Sequence, residues 1–169
     1  MGIRRAAVKP HAPRADLDSM TESDRARAPA IRPDVAADAS ARYRVELLES
    51  AEVGESGIAY AEGRSRATLR WERIERALAA QVGEPEGVRT IVFDLVVERK
   101  HTECLVRRFD AEPGEPAQAI AQAIARHVGR ARCSRSLLEL AAEGVPTRSH
   151  PDLETLAEDA LEELELQAG

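Results

Sequence analysis

The sequence predicts an α+β domain, and three features of the chain carry that expectation. From Tyr43 to Phe109 short apolar stretches recur with a period of two and are separated by turn residues. After Pro116 the apolar period changes to 3.6. Residues 1–40 follow neither period: they hold four prolines, no aromatic residue and interleaved charges. Such a segment cannot bury enough apolar surface to offset chain entropy, so a disordered arm is expected there.

Tyr43, Val45 and Leu47 fall on one face of a first predicted strand. Gly54 and Gly57 mark a turn before a short strand at Ile58–Tyr60, and Gly63 and Ser65 mark the next. Leu69 and Trp71 then alternate on one face, and the lone Trp71 is expected in the core. Residues 72–82 fit two patterns. Trp71, Ile74, Leu78 and Val82 share a helical face, whereas Leu78, Ala80 and Val82 alternate as in a strand, and periodicity does not decide between them. Val88–Val97 is nearly continuous in β-branched residues and reads as a central strand buried on both faces. Cys104–Phe109 follows as another. The sum is an antiparallel meander of five to six short strands.

Three helices follow. Pro116 sits at a first helical position, Gly129 closes the segment, and Ala117, Ile120, Ile124 and Val128 form its apolar stripe. Ser134 is placed to cap a second helix that stops at Gly144. The third starts near Pro151 and carries Leu153, Leu156, Ala157, Ala160, Leu161 and Leu164 at i, i+3, i+4, i+7, i+8 and i+11. The expected division is an arm at 1–40, an α+β domain at 41–148 and an acidic amphipathic helix at 149–169. Residues 151–169 hold seven acids and no base. The last turn of that helix opposes the helix dipole and should fray unless a basic group docks on it.

Composition excludes several classes. No apolar run approaches the roughly 18 residues of a membrane span. Two cysteines make no disulfide framework. The net charge of −6 speaks against a nucleic-acid binder. The basic start (Arg4, Arg5, Lys9, Arg14) lacks the apolar stretch of a signal peptide, so a cytoplasmic location is expected. Arginine outnumbers lysine 22 to 2, which reads as coding bias before function.

A strand meander closed by a helix resembles the small bacterial pleckstrin-homology-like (PH-like) domains. The residues carrying the likeness are Leu69–Ile74, Phe93–Val97, Leu105–Phe109 and the helix Pro116–Val128, over residues 43–129. The resemblance implies two packed sheets plugged by a helix, and a binding module that transfers no site residue. Its turns read Glu52-Val53-Gly54-Glu55 and Gly83-Glu84-Pro85-Glu86, without the lysines and arginines of phosphoinositide binders, so anionic lipid is not the expected ligand.

Four side chains could carry chemistry. His101, Cys104, His127 and Cys133 supply two nitrogens and two sulfurs, a set that zinc accepts, although their spacing is not that of a zinc finger. Cys133, between Arg132 and the helix-capping Ser134, could be an activated thiol, but a structural role is favoured. Asp94 could be a tuned acid, but a carboxylate on an exposed strand face is favoured. Arg99, Lys100, Arg107 and Arg108 are expected as a solvated basic face paired with Glu98 and Glu103. No phosphate-binding loop, nucleophile elbow or zinc-protease motif occurs. The expected function is therefore a non-catalytic binding or adaptor module with no cofactor and no bound metal. Its expected partner is another protein. The stripe of the last helix must cover something: packing on its own domain is favoured, and docking of Leu153, Leu156, Leu161 and Leu164 into the partner's groove is the alternative. An acidic secretion-type chaperone is the alternative, and a small metal- or thiol-dependent enzyme ranks third.

Overall fold

The computed structural model describes residues 41–168 except residue 101, with side chains as far as Glu165. The segment 1–40 expected to be a disordered arm lies outside the described residues. The class is α+β, with eight strands in two sheets and three α-helices among the described residues. The strands are β1 (Tyr43–Leu47), β2 (Glu49–Val53), β3 (Gly57–Glu62), β4 (Ser65–Arg70), β5 (Arg76–Val82), β6 (Thr90–Arg99), β7 (Cys104–Ala111) and β8 (Ser149–His150). The helices are α1 (Glu115–Val128), α2 (Arg135–Glu143) and α3 (Leu153–Ala168). Among the described residues no helix is long and apolar enough to cross a membrane.

The expected antiparallel meander is corrected in one respect. β2-β3-β4 and β5-β6-β7 are antiparallel, but β1 runs parallel to β7 and β8 parallel to β5, so the five-stranded sheet β1-β7-β6-β5-β8 is mixed. The first strand also divides. Ser50 takes φ 54, the register of β2 slips beside it, and the chain passes from the large sheet to the small one. Residues 49–53, whose last two were read as turn, are an edge strand. The ambiguity at 72–82 resolves to a 3-10 turn at Trp71–Arg73 followed by β5.

The large sheet separates two cores. Ala77 and Ala79 of β5, Ile91, Phe93 and Leu95 of β6, and Phe109 of β7 face the first, with Ile58, Leu69 and Trp71 and the inner faces of α1 and α2. Leu78, Ala80, Val92, Val96, Cys104 and Val106 face the second, which α3 covers with Leu156, Ala160, Leu161 and Leu164. A strand buried on both faces must be apolar at both parities, which is why β6 reads as a continuous run.

The helix ends follow their sequence signals. Pro116 lies in the first turn of α1, and the Ser134 hydroxyl accepts from the Leu137 amide at 3.2 Å. Gly144 ends α2 in the left-handed conformation (φ 83). Asp152 caps α3 by accepting from the Thr155 amide at 2.9 Å. The condition set for the last turn is met, because the protein's own bases dock there. Arg99 donates to the Leu164 carbonyl at 3.0 Å, and Arg42 pairs with Glu165.

Candidate functional site

Three polar places stand out, and they differ in what can reach them. The innermost lies on the face of the large sheet that α3 covers. Asp94 and Arg108 are cross-strand partners on β6 and β7, and both are buried. Arg108 reaches both oxygens of the Asp94 carboxylate, Nε to Oδ1 at 2.6 Å and Nη2 to Oδ2 at 2.9 Å. The Tyr43 hydroxyl donates to the same Oδ2 at 2.6 Å. Burial and the adjacent Asp94 carboxylate push the Tyr43 hydroxyl well above its ordinary range. Burial alone would lower Arg108, yet its bonds to Asp94 outweigh that and raise it. The expected exposed carboxylate and solvated Arg108 are thus both corrected: the pair is a closed bidentate bridge. It satisfies itself and offers no free group to a ligand.

Beside it, between Leu78, Val92 and Asp94 of the sheet and Leu156 and Glu163 of α3, is a cavity of about 20 Å³. That is room for one water. Arg148 pairs with Asp159 and lies 3.9 Å from Glu163, while His150 Nε2 lies 3.6 Å from Asp159. Burial raises the Glu163 carboxyl against the opposing pull of Arg148 and Arg76. These contacts tie α3 to the body, and the acidic helix is answered from within its own domain.

The third place is open. A cleft of about 340 Å³ lies between the two sheets, lined by Tyr60 and Thr68 of the small sheet, Arg70 and Arg73, and Glu98 and Arg107 of the large one. The Arg107 guanidinium sits 5.0 Å above the Tyr60 ring, and its Nε is buried with no hydrogen-bond partner. Glu46, its register partner on β1, has Oε1 3.5 Å from that Nε, an ion pair without a hydrogen bond. Arg70 makes only a long exposed pair with Glu72 at 3.4 Å, and Glu98 lies 3.8 Å from Lys100. Three arginines and one glutamate therefore line the cleft, with Arg70 at the end of the β4 edge and its side chain on the face opposite Leu69. The sequence placed Arg107 in one patch with Arg99, Lys100 and Arg108. Strand alternation sends Arg107 and Arg108 to opposite faces instead, and Arg99 turns to the end of α3.

The four candidate metal or thiol residues are not brought together. Cys104 is buried in the core under α3 and Cys133 in the core on the opposite face of the sheet. His127 stacks on Trp71, with ring centroids 4.8 Å apart and planes 6° from parallel, and residue 101 is outside the described residues. Among the described residues no cluster of three or more His, Cys, Asp or Glu could hold a metal.

The idea of a lowered Cys133 pKa is corrected. Burial pushes this thiol up to about 11, and Arg76 and Arg130 only partly oppose it. Native protein should resist iodoacetamide at pH 7.5 and react at both cysteines once unfolded in urea. The linkage has a definite sign. Unfolded, the thiol ionises from its ordinary 9.0, while the folded state holds its proton to about 11. Stability is therefore flat below pH 9 on this account and falls between about 9 and 11, read as a declining urea midpoint.

Of the predicted partner-binding leucines, Leu156, Leu161 and Leu164 are buried against the protein's own sheet, and Leu153 is exposed. The first three are occupied within the domain. Trp71 lies in the core as expected, with its Nε1 donating to the Glu55 carbonyl at 2.9 Å. What the sequence reading missed is the cleft, whose one available signal was the run Arg64, Arg66, Arg70 and Arg73 against the single Glu72. The chain matches no family model, no curated protein and no solved structure.

Proposed function

We propose that this protein is a non-catalytic binding module that engages another protein through the arginine cleft between its two sheets. The observation that carries the reading is the cleft's charge: the Arg107 guanidinium lies above the Tyr60 ring, with Glu46 3.5 Å from its Nε but not hydrogen-bonded to it, in a cleft lined by two further arginines and one glutamate. A ligand carboxylate or phosphate in the cleft would make charge-assisted hydrogen bonds to these guanidinium groups. Arginine above an aromatic ring is also a frequent element of protein interfaces.

A protein partner is favoured over nucleic acid by the net charge of −6, and over anionic lipid by the acidic turns. A cytoplasmic setting belongs to the same reading. So does the PH-like likeness over residues 43–129, supported by the paired sheets with α1 packed on them; the parallel β1 departs from it.

Affinity capture from source-cell lysate tests the proposal, using the full chain and an Arg70→Glu/Arg73→Glu variant. Proteins recovered by the native chain and lost by the variant are expected. Identical recovery from both would reject the cleft as the recognition surface.

A further inference from the structure

We infer that the cleft takes an extended acidic segment of the partner, which adds as a fourth strand to the open edge of β4. This rests on the binding-module reading and names its ligand. The small sheet has the order β2-β3-β4, so β4 pairs on one side only among the described residues. Its register with β3 is regular over all six residues, from Glu62↔Ser65 to Gly57↔Arg70. The turn between them is two residues long with Gly63 at φ 63, the geometry of a tight hairpin. In such a hairpin the flanking pair exchanges backbone hydrogen bonds, so Ser65, Ala67 and Leu69 are bonded inward. The N–H and C=O groups of Arg66, Thr68 and Arg70 then point out from the edge.

The other edges are less suited. β2 carries the register slip at Ser50. β5 is covered by β8 and by the bridge from Ala77 to Cys133. β1 mixes Arg44 and Glu46.

Charge selects the occupant. Along residues 64–73 four arginines stand against one acid in a chain that is acidic overall. A second copy adding its own β4 would set arginine against arginine, which is unfavourable across a strand pair. An acidic strand meets the opposite sign. The cleft also lies where half of its side chains would go. Tyr60 pairs with Ala67 and Ile58 with Leu69, so these four share the inner face of the sheet. The cleft continues that face past β4 to Arg107 and Arg73. Alternate side chains of an added strand enter it, and a carboxylate there meets the Arg107 guanidinium beside Arg73.

The test is fluorescence anisotropy with the full chain and a labelled ten-residue peptide of alternating valine and glutamate. Three proteins are compared: native, Arg70→Glu/Arg73→Glu, and Thr68→Pro. Proline at an outward-facing edge position leaves the β3–β4 ladder intact but removes one outward N–H. Melting curves confirm that each variant is folded. The native chain should bind the peptide and ignore its valine–lysine counterpart. The charge reversal should weaken binding at least about tenfold, and Thr68→Pro at least about fivefold. Binding lost on charge reversal but untouched by Thr68→Pro would overturn strand addition and leave the binding-module reading standing. Equal binding of the lysine peptide, or no binding at millimolar peptide, would overturn the inference. So would cleft-dependent binding of phosphatidylserine vesicles or inorganic phosphate in place of the peptide.

Discussion

Replacing Asp94 with alanine is expected to remove about 3–5 kcal/mol of stability, a large part of the roughly 5–15 kcal/mol of an ordinary domain. The carboxylate is 2% exposed and accepts three hydrogen bonds, two from Arg108 and one from Tyr43. Its loss leaves a buried guanidinium without a counter-charge and a buried phenol without an acceptor. The effect lies in what remains unpaired more than in the bridge itself. The double variant Asp94→Leu/Arg108→Met removes both charges and should recover more than half of the loss. Urea titrations of the three proteins check this. A single variant within about 1 kcal/mol of the native chain, or a double variant worse than the single, would contradict the bridge as described.

Ending the chain at His150 is expected to abolish cooperative unfolding altogether. Among the described residues α3 is the only helix covering the second core, where Tyr43, Leu78, Val92, Val96 and Val106 lie. Leu156, Leu161 and Leu164 on the helix side alone contribute together about 5–9 kcal/mol at about 1.5–3 each. That matches the whole stability of many domains. The truncated protein should show no sharp urea transition by circular dichroism and should bind a hydrophobic dye. A truncated chain that unfolds as sharply as the full one would mean that α3 is an appendage, free to serve a partner.

Local signals were legible in the sequence and long-range ones were not. Pro116, Ser134 and Gly144 each marked a helix boundary because capping depends on near neighbours. The nearly continuous run at 88–97 marked β6, both of whose faces are buried as that run implied, although the strand starts at Thr90 and Val88 is exposed. β2 escaped notice because Glu49-Ser50-Ala51-Glu52-Val53 is a charged edge strand with a kink, which looks like turn. The parallel pairing of β1 with β7 joins segments about sixty residues apart, and no residue in Tyr43–Leu47 states its direction.

The site was harder still. A strand buried on both faces should have warned that Asp94 needs a buried partner, and Arg108 was available on the next strand. Which arginine turned inward depended on the β6–β7 register. The cleft needed two sheets to meet, and β4 and β7 come from opposite halves of the domain. The apolar stripe of α3 was legible, and so was its own domain as the favoured cover; which sheet face it covers, and that Leu153 stays outside, are facts of tertiary packing.

The central claim is that recognition happens at the arginine cleft, away from α3. Affinity capture with three baits tests it most directly: the native chain, Arg70→Glu/Arg73→Glu, and Leu153→Glu at the exposed leucine of α3. The account predicts that the partner stays on the Leu153→Glu bait and is lost from the arginine variant. A partner lost from Leu153→Glu and kept by the arginine variant would place recognition on the acidic helix and contradict it.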